Sequence, residues 1–177
     1  LSIVRVLVDV MSWNTIKELF LHIYNTHIRK RFPEKIGVQN GVAVRGPVRL
    51  LDRQDVFPEY EAALITGLRE RVNSSDDVVI VGGGRGVSTV AAAHLSGTDG
   101  TVLTYEANSE NASKVEQTVD LNRVGERVEV THGIVGEYSE FSENYYGTSG
   151  SATVIPPSDL PDCDVLELDC EGAELDI

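Results

Sequence analysis

Two stretches of this chain place chemistry-bearing groups at spacings that invite a ligand. In VVIVGGGRGVSTVAAA, residues 78 to 93, four apolar residues run into Gly82, Gly83, Gly84, Arg85 and Gly86, and then into a small-residue segment of helical character. Glycine adopts positive φ freely and, lacking a Cβ, lets a ligand approach the backbone, while the next helix opens with amides that have no intrahelical partner. In DCDVLELDCEGAELDI, residues 162 to 177, a second apolar run ends in Asp169, Glu171 and Glu174. Carboxylates at the end of a strand can orient a hydroxyl or accept its proton. A third group stands between the two stretches. Glu106 ends the run TVLTYE, twenty residues past Gly86, where an acidic side chain can accept hydrogen bonds from both hydroxyls of a ribose.

Spacing narrows what the glycines hold. A phosphate-gripping P-loop needs Gly-Lys-Ser/Thr after a four-residue gap; here that gap leads to Val87-Ser88 or Ser88-Thr89, with no lysine near. A dinucleotide fingerprint G-x-G-x-x-G starting at Gly82 and Gly84 needs Gly or Ala at 87, which is Val, and starting at Gly83 it meets Arg85 at its second glycine. What remains is G-x-G-x-G at Gly82, Gly84 and Gly86. This resembles motif I of the Rossmann-like methyltransferases that bind S-adenosylmethionine, and Glu106 stands in register with it. In that pattern an acidic residue usually stands two positions before the first glycine, a place taken here by Ile80, so the methionine end of the cofactor would be held differently.

The elements that position these groups follow from periodicity. Val78–Val81 reads as a strand buried on both faces, a helix spans 87 to 95 and ends at Gly97, and TVLTYE makes a strand at 101 to 106. A helix at 109 to 122 aligns Ala112, Val115 and Val119, and strands follow at 127 to 132 and 164 to 169. Strand, helix, strand, helix, strand is the pattern of an α/β sheet with right-handed crossovers, whose ligand sits beyond the carboxyl ends of the strands. Upstream, Trp13, Ile16, Leu19, Phe20, Ile23 and Tyr24 mark an amphipathic helix over 12 to 31, whose face would pack on a neighbouring layer, dock a partner subunit or touch a membrane. Asn40-Gly41 signals a hairpin, Gly46-Pro47 a second break, and Tyr60, Leu64 and Leu68 a helix from Phe57 to Val72. The expected division is an N-terminal helix and small β extension, 1–54, and a cofactor-binding domain, 55–177.

The segment D-C-E-G-A-E, with Asp169, Glu171, Gly172, Ala173 and Glu174, resembles the strand-then-D-x-E-G-A-E signature of the FkbM-like family of S-adenosylmethionine-dependent methyltransferases. TYEANSENASKVEQTVDLN, 104 to 122, resembles the same family's E-P-x-P-x-N segment, with Ala107 replacing the usual Pro. The resemblance covers roughly residues 55 to 177. It implies a Rossmann-like, mostly parallel sheet of order 3-2-1-4 in the part present, with helices on both faces. It also implies methyl transfer from S-adenosylmethionine to a hydroxyl of a sugar, polyketide or similar small molecule. Such a sheet would continue for about three strands past the fourth, so C-terminal strands are expected to be missing here. The cofactor seat implied is Gly82, Gly83, Gly84, Gly86, Glu106, Ala107, Gly133 and Ile134. Asp169 would position the acceptor or act as general base, with Glu171 second and Glu174 a helix-start residue. A carboxylate cluster can hold a divalent metal, but one loop with no histidine nearby does not make a ligand set, so no metal is expected. Two other classes stay open: a nicotinamide-dependent oxidoreductase, and a methyltransferase-like interaction module without catalysis.

Bulk properties bound the partners. A net charge of -13 on 177 residues argues against nucleic acid or an anionic membrane surface, which would repel the chain. Lysine is scarce, 4 against 11 arginines, a balance that would suit a salt-rich cytoplasm. Cys163 and Cys170 are too few for a disulfide framework, and the N-terminal run LSIVRVLVDVM is short and interrupted by Arg5 and Asp9. A cytoplasmic enzyme without stable membrane insertion is the expectation, with the 12–31 helix the first candidate for a homodimer contact.

Overall fold

The computed structural model describes residues 13–136, 152–170 and 177. Its N-terminal part is a helix and a small sheet. Helix α1 (Trp13–Ile23) passes through a π-helical turn, Tyr24–Ile28, into a 3-10 turn, Arg29–Arg31, and none of these residues is buried. The expected packing of its apolar face on a neighbouring layer is therefore not found, and Trp13 and Phe20 stay 81% and 66% exposed. Arg29 ties its end to the small sheet by pairing with Asp52. Strands β1 (Glu34–Gln39) and β2 (Val42–Arg49) form the antiparallel hairpin signalled by Asn40-Gly41, whose φ values of 50° and 90° are those a type I′ turn demands. Gly46-Pro47 does not break the strand. The register steps from Lys35↔Val48 to Ile36↔Arg45, so these two residues form a bulge within β2.

A two-residue strand, β3 (Val56–Phe57), pairs in parallel with β1 and carries the small sheet past the 54/55 division. The next helix is shorter than expected, with a turn over 58 to 61 between it and β3. Phe57 is in β3, Glu61 caps the helix in the left-handed region at φ 48°, and α2 runs only over Ala62–Arg71.

The larger sheet is parallel throughout. It comprises β4 (Val78–Val81), β5 (Val102–Glu106), β6 (Val128–Val135), β7 (Thr153–Ile155) and β8 (Val165–Leu168) in the order β7-β6-β5-β4-β8. The expected four strands are joined by β7 on the outer edge of β6, and β6 itself runs three residues past the expected end at 132. Helices α3 (Val87–Ser96) and α4 (Ser109–Asn122) make the crossovers. The lower ends of three strands meet at Asp77, whose side chain accepts from Thr101 while its carbonyl accepts from Asp164.

Alternation along β4 divides the core. Val78 and Ile80 join Ile65 and Leu68 of α2, Val90 and Ala93 of α3, and Val115 and Val119 of α4. Val79 and Val81 face a second cluster with Tyr105, Val135 and Cys170. Among the described residues, then, the helices cover one face of the sheet; the expected cover of helices on both faces is not seen. The first face is also braced by a buried hydroxyl pair, Thr89 to Thr104 at 3.0 Å, and by Asn122, whose amide bonds the Ala43 amide and carbonyl and so fastens the hairpin to α4.

Candidate functional site

The glycine turn stands at the carboxyl end of β4, and three of its four glycines are explained by packing. A Cβ on Gly82 would lie 2.1 Å from the carbonyl oxygen of Asp169, one on Gly83 2.7 Å from Thr104 Cγ2 and 2.9 Å from Val115 Cγ2, and one on Gly86 3.1 Å from Val115 Cα. These contacts press the turn onto β8, β5 and α4. Gly84 is different. Its φ is +54° and a Cβ there would meet nothing within 4 Å, so its bareness opens the backbone to the space above the rim. Gly86, at φ 82°, hands the chain into α3, and its amide closes the turn on the Gly83 carbonyl at 2.7 Å.

Glu106 meets that turn from the next strand. One carboxylate oxygen accepts from the Gly84 amide at 2.8 Å, and the other from the Asn108 amide at 2.9 Å. The residue is 4% exposed. A carboxylate offers about four lone-pair sites, so two remain after the two amides are served. Asn108 in turn caps α4, its side chain accepting from the amides of Glu110 and Asn111. Ala107 is half-buried, and its carbonyl accepts from His132 Nε2 at 3.1 Å. His132 is the register partner of Glu106, which puts Gly133 and Ile134 just beyond that level, where they pair with Thr153 and Val154 of β7. A Cβ on Gly133 would strike Ile155, so its missing side chain is used by β7 as well as lying beside the rim.

The other flank of the turn is acidic. Asp169 follows β8, exposed, with its amide bonded to the Val81 carbonyl and its own carbonyl against Gly82. Its backbone follows the carboxyl end of β8, the edge of the sheet that also carries Gly84 and Glu106. Near it, burial pushes the Tyr60 hydroxyl up to about 12, helped by its hydrogen bond to Glu61. Partial burial raises the Glu61 carboxyl, an effect that the Tyr60 bond and the Arg85 charge oppose. Glu171, the second expected catalytic carboxylate, lies outside the described residues, as do Gly172, Ala173 and Glu174.

Sequence reasoning passed over Glu167. This residue sits within β8, is 7% exposed, and neither carboxyl oxygen has a hydrogen-bond partner. Burial, with the charges of Asp169 and Glu61 adding to it, pushes its carboxyl up to about 8. The signal in the sequence was an acid inside an otherwise apolar run, DVLELD. No group of three or more His, Cys, Asp or Glu suited to a metal occurs among the described residues, and no described helix is long and apolar enough to cross a membrane.

The sequence matches no protein-family model and no curated protein sequence. Solved structures overlap part of the fold. An S-adenosylmethionine-dependent methyltransferase from Aquifex aeolicus is 20% identical over 42% of this chain and 40% of its own, with a TM-score of 0.38. The O-methyltransferase from Bacillus cereus in complex with S-adenosylhomocysteine is 25% identical over 45% and 36%, with a TM-score of 0.35. The O-methyltransferase TomG from Streptomyces achromogenes, in complex with S-adenosylmethionine, is 22% identical over 38% and 30%, with a TM-score of 0.33. The matched region thus spans well under half the length of each of these proteins.

Proposed function

We propose that this chain carries the donor-binding part of an S-adenosylmethionine-dependent methyltransferase that methylates a hydroxyl of a small molecule or sugar, and that it is of the FkbM-like kind. The observation that carries the reading is the bond from the Gly84 amide to Glu106 at 2.8 Å, beside the open space over Gly84. It joins a bare turn and an acidic strand end in one seat, with lone pairs left for a 2′- and a 3′-hydroxyl. A carboxylate there favours an unphosphorylated ribose and repels a 2′-phosphate. In this reading Gly82, Gly83 and Gly86 shape the turn, Gly84 and Glu106 take the ribose, and Ala107, Gly133 and Ile134 border the adenine.

The donor supplies an already electrophilic methyl carbon, so the chain is asked for alignment, exclusion of water and a proton acceptor. The acceptor oxygen forms its bond to that carbon as the carbon–sulfur bond breaks and the electron pair returns to sulfur. In this reading Asp169, exposed after β8, orients the acceptor hydroxyl or takes its proton, with Glu171 as the second carboxylate. Calorimetric titration tests the assignment: S-adenosylmethionine and S-adenosylhomocysteine are expected to bind and NAD is not. Binding of NAD alone would replace this function with a nicotinamide-dependent one, and no binding of any of the three would leave an interaction module.

A further inference from the structure

Charge is unevenly placed along this chain. Residues 13 to 57 carry eight Lys and Arg against four Asp and Glu, a net charge of +4, whereas residues 58 to 177 carry six against 23, a net charge of -17. Within the basic part, helical spacing puts Trp13, Ile16, Phe20 and Ile23 on one face of α1, and none of them is buried. Leu50 and Leu51, in the turn after β2, are 58% and 56% exposed. Asp52 fastens that turn to the end of the helical segment. Its carboxylate accepts from the Arg29 guanidinium at 3.0 Å and from the Arg49 amide at 2.8 Å, its carbonyl accepts from Lys35, and the Leu50 amide donates to the Pro33 carbonyl. Lys17, Lys30, Arg31 and Arg53 are exposed, and no acid pairs with them among the described residues.

Apolar and basic side chains exposed together on a short helix and an adjoining turn suit a surface that is anionic outside and apolar beneath. We infer that this N-terminal part docks the protein reversibly on an anionic lipid surface. The apolar face of α1 and the Leu50-Leu51 turn enter the boundary between headgroups and acyl chains, and Lys30, Arg31 and Arg53 meet the headgroup phosphates. Eleven residues of helix are too few to span a bilayer, so the contact is peripheral. The net charge of -13 speaks against such a surface only when averaged over the chain, because salt screens each charge within about 8 Å and the excess of acids lies beyond residue 57. Those acids favour a pose in which the larger part is directed to water. A second copy fits less well. A two-fold contact through α1 sets a like-charged face against itself, and a contact from α1 onto the acidic part of another copy leaves a basic face open at its end unless a ring closes. Nucleic acid would use the cations but leave the two leucines in water.

Trp13 is the single tryptophan of the chain, so its fluorescence reads the contact directly. In dilute protein its emission is expected to be that of a water-exposed indole. It is expected to shift to the blue with vesicles of phosphatidylglycerol and phosphatidylcholine in equal parts, and to stay unchanged with phosphatidylcholine alone. The mixed vesicles are expected to carry the protein in flotation, with binding at least tenfold weaker in ~1 M salt. Lys30→Glu with Arg31→Glu is expected to weaken vesicle binding at least tenfold, and so is Phe20→Ser with Leu50→Ser. All four side chains are exposed, so urea unfolding without vesicles is expected to match the wild type. No shift with the mixed vesicles, equal binding to neutral vesicles, or wild-type binding by both double variants overturns the proposal. So does emission already blue in dilute protein, which means another segment of the chain covers the face. A blue shift that follows protein concentration, with a dimer in sedimentation, hands the face to a second copy, and retention on an RNA or DNA oligonucleotide without vesicle binding hands it to nucleic acid.

Discussion

Two glutamates on one sheet, two strands apart and equally hidden from water, are treated in opposite ways. Glu106 at the end of β5 is clasped by the amides of Gly84 and Asn108, whereas Glu167 inside β8 has no partner and keeps its proton up to about pH 8. The first is a finished part whose job includes holding the turn together before any ligand comes. The second is unfinished, and the fold carries its cost. One buried carboxylate is thus held by backbone amides, and the other is held by burial alone.

The largest expected effect probes the unfinished flank. The native Glu167 carboxyl holds its proton up to about pH 8, while the unfolded chain releases it near the ordinary value of 4.5. Between those limits the native state binds more protons, so stability falls with rising pH by about 1.4 kcal/mol per unit and levels off above. Glu167→Gln is expected to remove this slope and to be the more stable protein at pH 9 by several kcal/mol, read from urea unfolding across pH. An unchanged slope in the variant would mean that the carboxyl is solvated after all.

On the finished flank the sign reverses. Glu106→Ala strands two amides and is expected to destabilise by about 3 kcal/mol, the scale of two hydrogen bonds to a charged group, and to abolish donor binding in the same titrations. The glycines separate packing from access. Gly83→Ala drives a methyl against Thr104 and Val115 and is expected to cost about 2 kcal/mol. Gly84→Ala meets no atom and is expected to cost about 1 kcal/mol for its left-handed backbone, yet to weaken the donor more than tenfold. If the two variants lost binding equally, the distinction drawn between these glycines would fail. The smallest effect is Asn108→Ala, about 1 kcal/mol of thermal stability from a lost helix cap.

Much of this was legible in the sequence because the relevant signals are local. The helix over 109 to 122 and the β4 strand were found at their observed bounds, since one has a strong 3.6-residue period and the other is an uninterrupted apolar run closed by glycines. The meeting of Gly84 with Glu106 was legible too, because sheet topology places successive strand ends side by side. What escaped depends on long-range pairing. β3 is two residues long and exists only because β1 offers it an edge, β7 extends β6 in the same way, and Glu167 shows its character only once Ile80 is known to lie beside it. The shortened α2 has a related cause, because β3 takes Phe57 and the chain then turns over 58 to 61 before the helix begins at Ala62.

Helix α4 touches both halves of the molecule. Val115 bears on Gly83 and Gly86 of the turn, and Asn122, seven residues further, grips the backbone of Ala43 in the hairpin. A stiff strut of about 10 Å thus links the glycine turn to the N-terminal ribbon. Anything that grasps the ribbon and tugs it sideways must either snap the Asn122 clasp or tilt the strut, and tilting it unseats the turn.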